Sequence, residues 1–331
     1  MANVFLGKTA NEVWKQATEC LLKQEVLVDG RNGQTRELLH SFMTIENPRQ
    51  RWVQGRRPPL SISFALAELV WIMQGEDRSD IINFWNPSLP RYAGKGDTYY
   101  GAYGKRIRSH FGFDQLKSAY DALQNCPESR QVVIQIYDAK TDFPIENGRP
   151  RNEDIPCNVC SLLKIRNNHL EWTQVLRSND IFLGLPYNFV QFMSLQEIVA
   201  GWLNLEVGTY NHYSDSLHLY ANDKKRVNIC FDKEIWNPDN ISISFSDSRR
   251  IFSEMFNRML CLSKNNLCEK DIEKLGHLGS EFSAYNNMLI LIAAYVSHKR
   301  GYKELTEALV SKCTNALFID MWNNWENRKN R

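Results

Sequence analysis

The stretch "IPCNVCSLLKIRNNHLEWTQVLRSNDIFLGLPYN" (155–188) decides how this chain is read. Two apolar runs flank "RNNH" at 166–169, which predicts a β-hairpin turning at Asn167 and Asn168. Cys157 and Arg177 are nearly equidistant from that turn, so register alone predicts them side by side on adjacent strands. A cysteine that directly follows a proline can open a disulfide, a metal knuckle or a nucleophilic site. Cys157 and Cys160 form a lone C-x-x-C, and Cys261 and Cys268, seven apart, do not match it. A structural zinc site takes four ligands, and strand residues three apart point to opposite faces. A redox C-x-x-C sits at a helix N-terminus, whereas this one enters a strand. Cys160 reads as a core thiol. Cys157 stays open between core thiol and nucleophile. A nucleophilic thiolate needs a positive neighbour; the Arg177 guanidinium would be one, and it could also hold a phosphate. Asp180 and Asn188 follow, with Gly184 between them letting backbone approach a ligand.

The 331 residues carry 40 Lys and Arg against 38 Asp and Glu, a formal net charge of +2. That balance gives no argument for nucleic-acid binding. The local basic run "RQRWVQGRR" (49–57) reads as a solvated face or a small-anion site. "MANVFLGKTANEVW" at the start lacks a basic segment followed by a long apolar run. "ISFALAELVWIM" (62–73) and "MLILIAAYV" (288–296) are too short to span a bilayer. The expectation is a cytoplasmic protein without a membrane partner, whose eight cysteines are mostly buried thiols.

Apolar periodicity predicts helices over 10–24, 62–74 (ended by Gly75), 113–125 and 188–204. Strands are expected over 130–138 and 205–220, and a Gly-containing turn over 28–37. Beyond about 248 the pattern is helical again. The fold class is therefore α+β, a largely β core packed by helices. The expected division is a catalytic domain over 1–247 and a helical C-terminal extension over 248–331.

The combination "IPC", "RSNDIFLGLPYN" and "SLHLY" (216–220) resembles the thymidylate synthase and deoxycytidylate hydroxymethylase superfamily. The resemblance covers roughly 31–220. "GRNGQT" (30–35) resembles the family's phosphate-binding Arg loop, and "AELVWIMQGE" (67–76) its helix carrying the catalytic glutamate. "YYGAYGKRIR" (99–108) resembles its Tyr-Gly-Lys segment, and "PESRQVVIQIY" (127–137) its Pro-Asp-Ser-Arg-Arg strand. Seven such segments in the right order point to that fold, a central mixed sheet packed by helices.

The resemblance implies transfer of a one-carbon unit from 5,10-methylenetetrahydrofolate to C5 of a pyrimidine nucleotide, with no metal. Cys157 would add to C6 and make C5 nucleophilic. Arg177 and Ser178 would hold the 5′-phosphate, and Arg31 would add a contact. Arg130 would come from the partner subunit of a homodimer. Glu68 would move protons from a helix whose apolar surroundings raise its pKa; the alternative is a glutamate at the rim of a partly exposed face. Tyr103 would order water, and Asn188 would read the base, favouring uracil over cytosine. His218 and Tyr220 would bond the 3′-hydroxyl. Asp180 would hold the folate pterin, with Gly184 beside it. His212 reads as a core or turn histidine.

Four departures from the family pattern stand out. Asn158 replaces the usual His after the nucleophile, and Gln131 replaces the second Arg of the pair. "SLPRY" (88–92) lacks the expected Trp, although Trp85 is nearby, and the chain ends "NNWENRKNR" instead of in a short apolar tail. Apolar closure excludes water at the last step, so these changes leave hydride transfer (a 5-methyl product) and hydration (a 5-hydroxymethyl product) both open. "RSND" and "SLHLY" look closer to the hydroxymethylase branch. A dCMP or CMP hydroxymethylase and a catalytically silent nucleotide-binding regulator are the alternatives. A binder, however, has no need of the thiol.

Overall fold

A computed structural model describes residues 2–30, 33–145 and 147–329. Arg31, assigned above to the phosphate, lies outside the described residues. The strands are β1 (Asn3–Gly7), β2 (Val28–Gly30), β3 (Gly33–Ile45), β4 (Arg56–Arg57), β5 (Val133–Gln135), β6 (Asn158–Arg166), β7 (His169–Leu176), β8 (Asn179–Asp180), β9 (Glu206–Tyr220) and β10 (Asn228–Ile229). They build a mixed sheet in the order β1-β3-β9-β7-β6-β5. β2 pairs with β3, and β8 with β9. β4 and β10 form a separate ribbon.

The hairpin forms where the apolar runs place it. Asn167 and Asn168 have φ of 50° and 61°, the left-handed pair that a tight two-residue turn demands. Near the turn Arg166 faces His169; beyond a bulge between Asn158 and Cys160, Asn158 faces Leu176. That one-residue shift sets Cys157 level with Arg177, whose N–H donates to the Cys157 carbonyl at 3.0 Å. The bulge also overturns the face argument used against a shared C-x-x-C. Asn158 and Ser161, three apart, are both fully buried on one face. The described residues nevertheless contain no cluster of three or more His, Cys, Asp or Glu able to hold a metal.

Other boundaries moved for local reasons. The strand expected over 130–138 is regular only at Val133–Gln135, because Ile136 and Tyr137 both turn their N–H onto the Val159 carbonyl at the bulge. The turn expected over 28–37 is mostly strand, with β2 and β3 paired up to Gly30 and Gly33. The helix expected from 188 starts at Leu185, with Pro186 in its first turn, where proline's missing N–H costs nothing. The basic run is not a solvated face. Arg51 and Arg56 are only 3% and 7% exposed. Arg51 ion-pairs with the fully buried Glu197, which Arg49 also reaches at 2.8 Å, and Arg56 donates to the carbonyls of Phe182 and Pro58.

The Leu185–Trp202 helix is buried along nearly its whole length and packs on β7 and β9. Against it lies the Ile62–Gln74 helix, ended by Gly75 in the left-handed conformation (φ 72°). The C-terminal helices Phe245–Leu262 and Ser283–Arg300 pack on that same helix, and the Ser63 hydroxyl donates to the Leu291 carbonyl at 2.6 Å. One hydrophobic cluster therefore runs from the sheet through both layers of helix. No helix among the described residues is long and apolar enough to cross a membrane.

Candidate active site

Cys157 sits half-buried at the mouth of β6. The Arg177 Nε donates to the Pro156 carbonyl at 3.0 Å, and a terminal nitrogen donates to that of Ile155 at 3.1 Å. The guanidinium thus braces the two residues before the thiol, while the side chain stays exposed. The same turn brings in Ser178, whose hydroxyl lies 3.4 Å from His218 Nδ1. β8 pairs with β9 at Asp180 and His218, and the His218 and Tyr220 rings meet edge-on at 5.3 Å. Arg177, Ser178, His218 and Tyr220 therefore cluster on one side of Cys157.

Tyr103 approaches from a single helical turn, Tyr103–Lys105. A Cβ on Gly104 would come within 2.7 Å of the Ile72 backbone, so only glycine lets this turn lie directly on the Ile62–Gln74 helix. That contact sets Tyr103 near Glu68 and Cys157. Burial, and then the Cys157 charge, push the Tyr103 phenol above its ordinary range. Glu68 is half-buried. Burial raises its carboxyl to about 7, against the opposing effect of a 2.6 Å hydrogen bond from Gln191 Nε2. Gln191 in turn accepts from Asn188 Nδ2 at 3.0 Å.

A second amide chain runs beneath the thiol. Trp172 Nε1 and the Ser161 hydroxyl both donate to Gln174 Oε1, at 3.0 and 2.7 Å. An indole N–H only donates, so it fixes Gln174 with its NH₂ toward Asn158 Oδ1 at 2.8 Å. Asn158 is thereby held with its own NH₂ outward. That nitrogen is fully buried and closes no hydrogen bond, although it faces the Tyr103 hydroxyl closely enough to favour the phenolate. His212 is a neutral core histidine, which burial lowers to about 3; Asn179 Nδ2 meets its Nε2 at 2.9 Å.

Asp180 is partly committed. Its Oδ1 accepts from the Phe182 and Leu183 N–H groups at 2.7 and 2.8 Å and shapes the turn into the Leu185–Trp202 helix. Its Oδ2 accepts nothing among the described residues. Burial raises its pKa. Gly184 donates its N–H to the Asp180 carbonyl at 3.1 Å. Arg130 is the outlier: it is exposed and lies with Ile165, Arg166 and Asn167 at the turn end of the hairpin, some ~25–30 Å from Cys157 by strand rise.

The thymidylate synthase family model matches residues 26–260. The chain belongs to the thymidylate synthase family. Among family relatives, a deoxyuridylate hydroxymethyltransferase of Bacillus phage SP01 is 28% identical over 66% of this chain and 59% of its own length. A deoxyuridylate hydroxymethyltransferase of Pseudomonas phage M6 is 31% identical over 68% of this chain and 63% of its own. This chain thus spans about three fifths of the length of these phage proteins. A putative thymidylate synthase of Methanothermobacter marburgensis is 30% identical, covering 63% of this chain and 89% of its own. In fold, the crystal structure of thymidylate synthase from phage T4 superposes with a TM-score of 0.50 at 23% identity, covering 64% and 77% of the two chains. Sequence reading of the family segments missed Gln191, Gln174 and Trp172. Two signals were present: Gln191 stands three residues after Asn188 on one helix, and Gln174 interrupts a buried apolar alternation on β7.

Proposed function

We propose that this chain is a folate-dependent one-carbon transferase that converts dUMP to 5-hydroxymethyl-dUMP through a Cys157 adduct at C6. The observation that carries the proposal is the convergence of Cys157, Glu68 and Asn158 on the Tyr103 hydroxyl, with Asn188 joined to Glu68 through Gln191. The co-substrate, 5,10-methylenetetrahydrofolate, supplies carbon at the oxidation level of formaldehyde. The spare Oδ2 of Asp180 is an acceptor that fits the N–H groups of a pterin.

In this reading Arg177, Ser178, His218 and Tyr220 hold phosphate and sugar, and Asn188 holds the uracil edge. The thiolate adds to C6, and Glu68 accepts and returns protons at the base. C5 bonds to the one-carbon unit; C5 then loses its proton as the bond from that carbon to the tetrahydrofolate nitrogen breaks, which releases tetrahydrofolate and leaves an exocyclic methylene. A water then adds to the exocyclic methylene as the C6–S bond breaks, so no reductant is consumed. Support for hydration over hydride transfer comes from the two phage relatives and from Asn158. Its buried N–H closes no hydrogen bond among the described residues and lies beside the Tyr103 hydroxyl, an arrangement that polar interiors complete with a bound oxygen. Purified protein incubated with dUMP, dCMP and CMP plus the folate gives the test. Conversion of dUMP to a product heavier by CH₂O is expected, with tetrahydrofolate released. A CH₂ gain with dihydrofolate would replace this reading with methylation.

Arg130, too distant to serve its own site, is proposed to serve the partner's in a homodimer. The sheet face opposite the Leu185–Trp202 helix carries half-exposed Val4, Leu6 and Phe42, at 60%, 61% and 48%, and the Phe42 ring meets Tyr213 at 4.7 Å. Such an apolar face fits a second copy of the chain. Mixing the Cys157→Ala and Arg130→Ala variants after reversible dissociation is expected to restore roughly a quarter of wild-type activity, since half the dimers are mixed and each regains one intact site. No recovery would place Arg130 outside the site.

A further inference from the structure

Gln191 has no assigned role, yet it is the sole bridge between the base-reading amide and the catalytic carboxylate among the described residues. We infer that Gln191 is a specificity-determining residue: it transmits the acceptor character of Glu68 to Asn188 and so locks the Asn188 amide in the orientation that reads uracil and rejects cytosine. The inference rests on the proposed nucleotide chemistry and deepens it.

The argument follows from which groups can donate. Above about pH 7, where Glu68 is ionised, its carboxylate only accepts. The Gln191 group 2.6 Å from Glu68 Oε2 must therefore be its NH₂. Its carbonyl then faces Asn188, and the Asn188 group 3.0 Å away must be NH₂ as well. One Asn188 N–H is consumed, and its carbonyl and second N–H remain for the base. Those match uracil, which donates from N3–H and accepts at O4. Cytosine has the reverse pattern, an acceptor at N3 and a donor at N4. Meeting it requires the Asn188 amide to turn over, which sets its carbonyl against the Gln191 carbonyl. Relieving that clash turns Gln191 over too, and its carbonyl then meets the Glu68 carboxylate. Each step leaves buried acceptors opposed, because Asn188 and Gln191 are 6% and 4% exposed. The two side chains lie one turn apart on the Leu185–Trp202 helix, so neither can swing away without leaving the core.

The test is the dUMP-over-dCMP binding ratio, measured by calorimetry on the full chain without folate at about pH 8.5, where Glu68 is ionised. Gln191→Met keeps length and removes both hydrogen bonds; the ratio is expected to fall about tenfold or more. Gln191→Glu, sharing a proton with Glu68, still donates to Glu68 and accepts from Asn188, and is expected to keep the wild-type ratio. Glu68→Gln introduces a group that donates as well as accepts; it should lower the ratio and gives an arm independent of whether the Met variant folds. An unchanged ratio in Gln191→Met or Glu68→Gln, or a loss in Gln191→Glu equal to that in Gln191→Met, overturns the lock. A wild-type protein that binds neither nucleotide overturns the nucleotide reading itself, and the lock with it.

Discussion

Cys157→Ala is expected to lower kcat/KM for dUMP by roughly 10⁴-fold or more, the scale seen when a covalent nucleophile is removed. Nucleotide binding should survive within a few-fold, because the contacts proposed for phosphate, sugar and base come from other side chains. The half-buried position of the thiol makes its loss cheap for the fold, so near-wild-type thermal unfolding should accompany the inactivity. Steady-state kinetics and a binding titration on one preparation separate the two effects. A Cys157→Ala protein with activity within tenfold of wild type would mean that no bond forms at C6. Cys157→Ser tests the same point more severely, since it keeps size and polarity and removes only the readily ionised group.

Glu68→Gln is expected to cost about 10²–10⁴ in kcat, the range for losing a positioned proton carrier. The pH profile gives the sharper reading. With its carboxyl raised to about 7, wild-type activity should climb as pH rises through 7, where Glu68 becomes the ionised proton acceptor. The variant should lose that limb. Two other titratable groups near Glu68, Tyr103 and Tyr187, have phenols pushed upward by burial, so they stay neutral there. Stability follows the opposite sign. A carboxyl whose folded pKa exceeds its unfolded value of 4.5 binds more protons when folded. Its contribution is present below about pH 4.5 and is lost as pH rises toward 7. Wild type should therefore lose on the order of 2–3 kcal/mol between pH 4.5 and 8 that Glu68→Gln does not lose. Denaturant unfolding of both proteins at the two pH values checks this. Equal pH dependence would show that Glu68 titrates as an ordinary surface acid.

The hairpin was legible because its determinants are local: two asparagines able to adopt positive φ between two apolar runs. The Cys157–Arg177 pairing was legible to within one residue. The bulge that makes it exact in register arises from a backbone choice at Val159 that side-chain types do not announce. The Ile62–Gln74 helix could be read from its apolar run and from Gly75, and Glu68 within it only with the help of the resemblance. The amide chains could not be read at all. Gln191 bonds Glu68 across 123 positions, and Trp172 orients Asn158 only through Gln174. Such polarity is a property of three or four side chains together, and no pair of them carries it. The 49–57 run misled for a related reason. Its charges look solvated in one dimension, and Glu197, which neutralises Arg51 inside the core, comes from 146 positions away.

The most direct test of the account is the mass of the intact protein after incubation with 5-fluoro-dUMP and methylenetetrahydrofolate. Fluorine at C5 cannot leave as a proton does, so a reaction that passes through a C6 adduct stops there. A protein heavier by one nucleotide and one folate, with the modification mapped to Cys157 and absent from Cys157→Ser, is the expected result. An unmodified protein under saturating ligands, or a modification on any other residue, would contradict it.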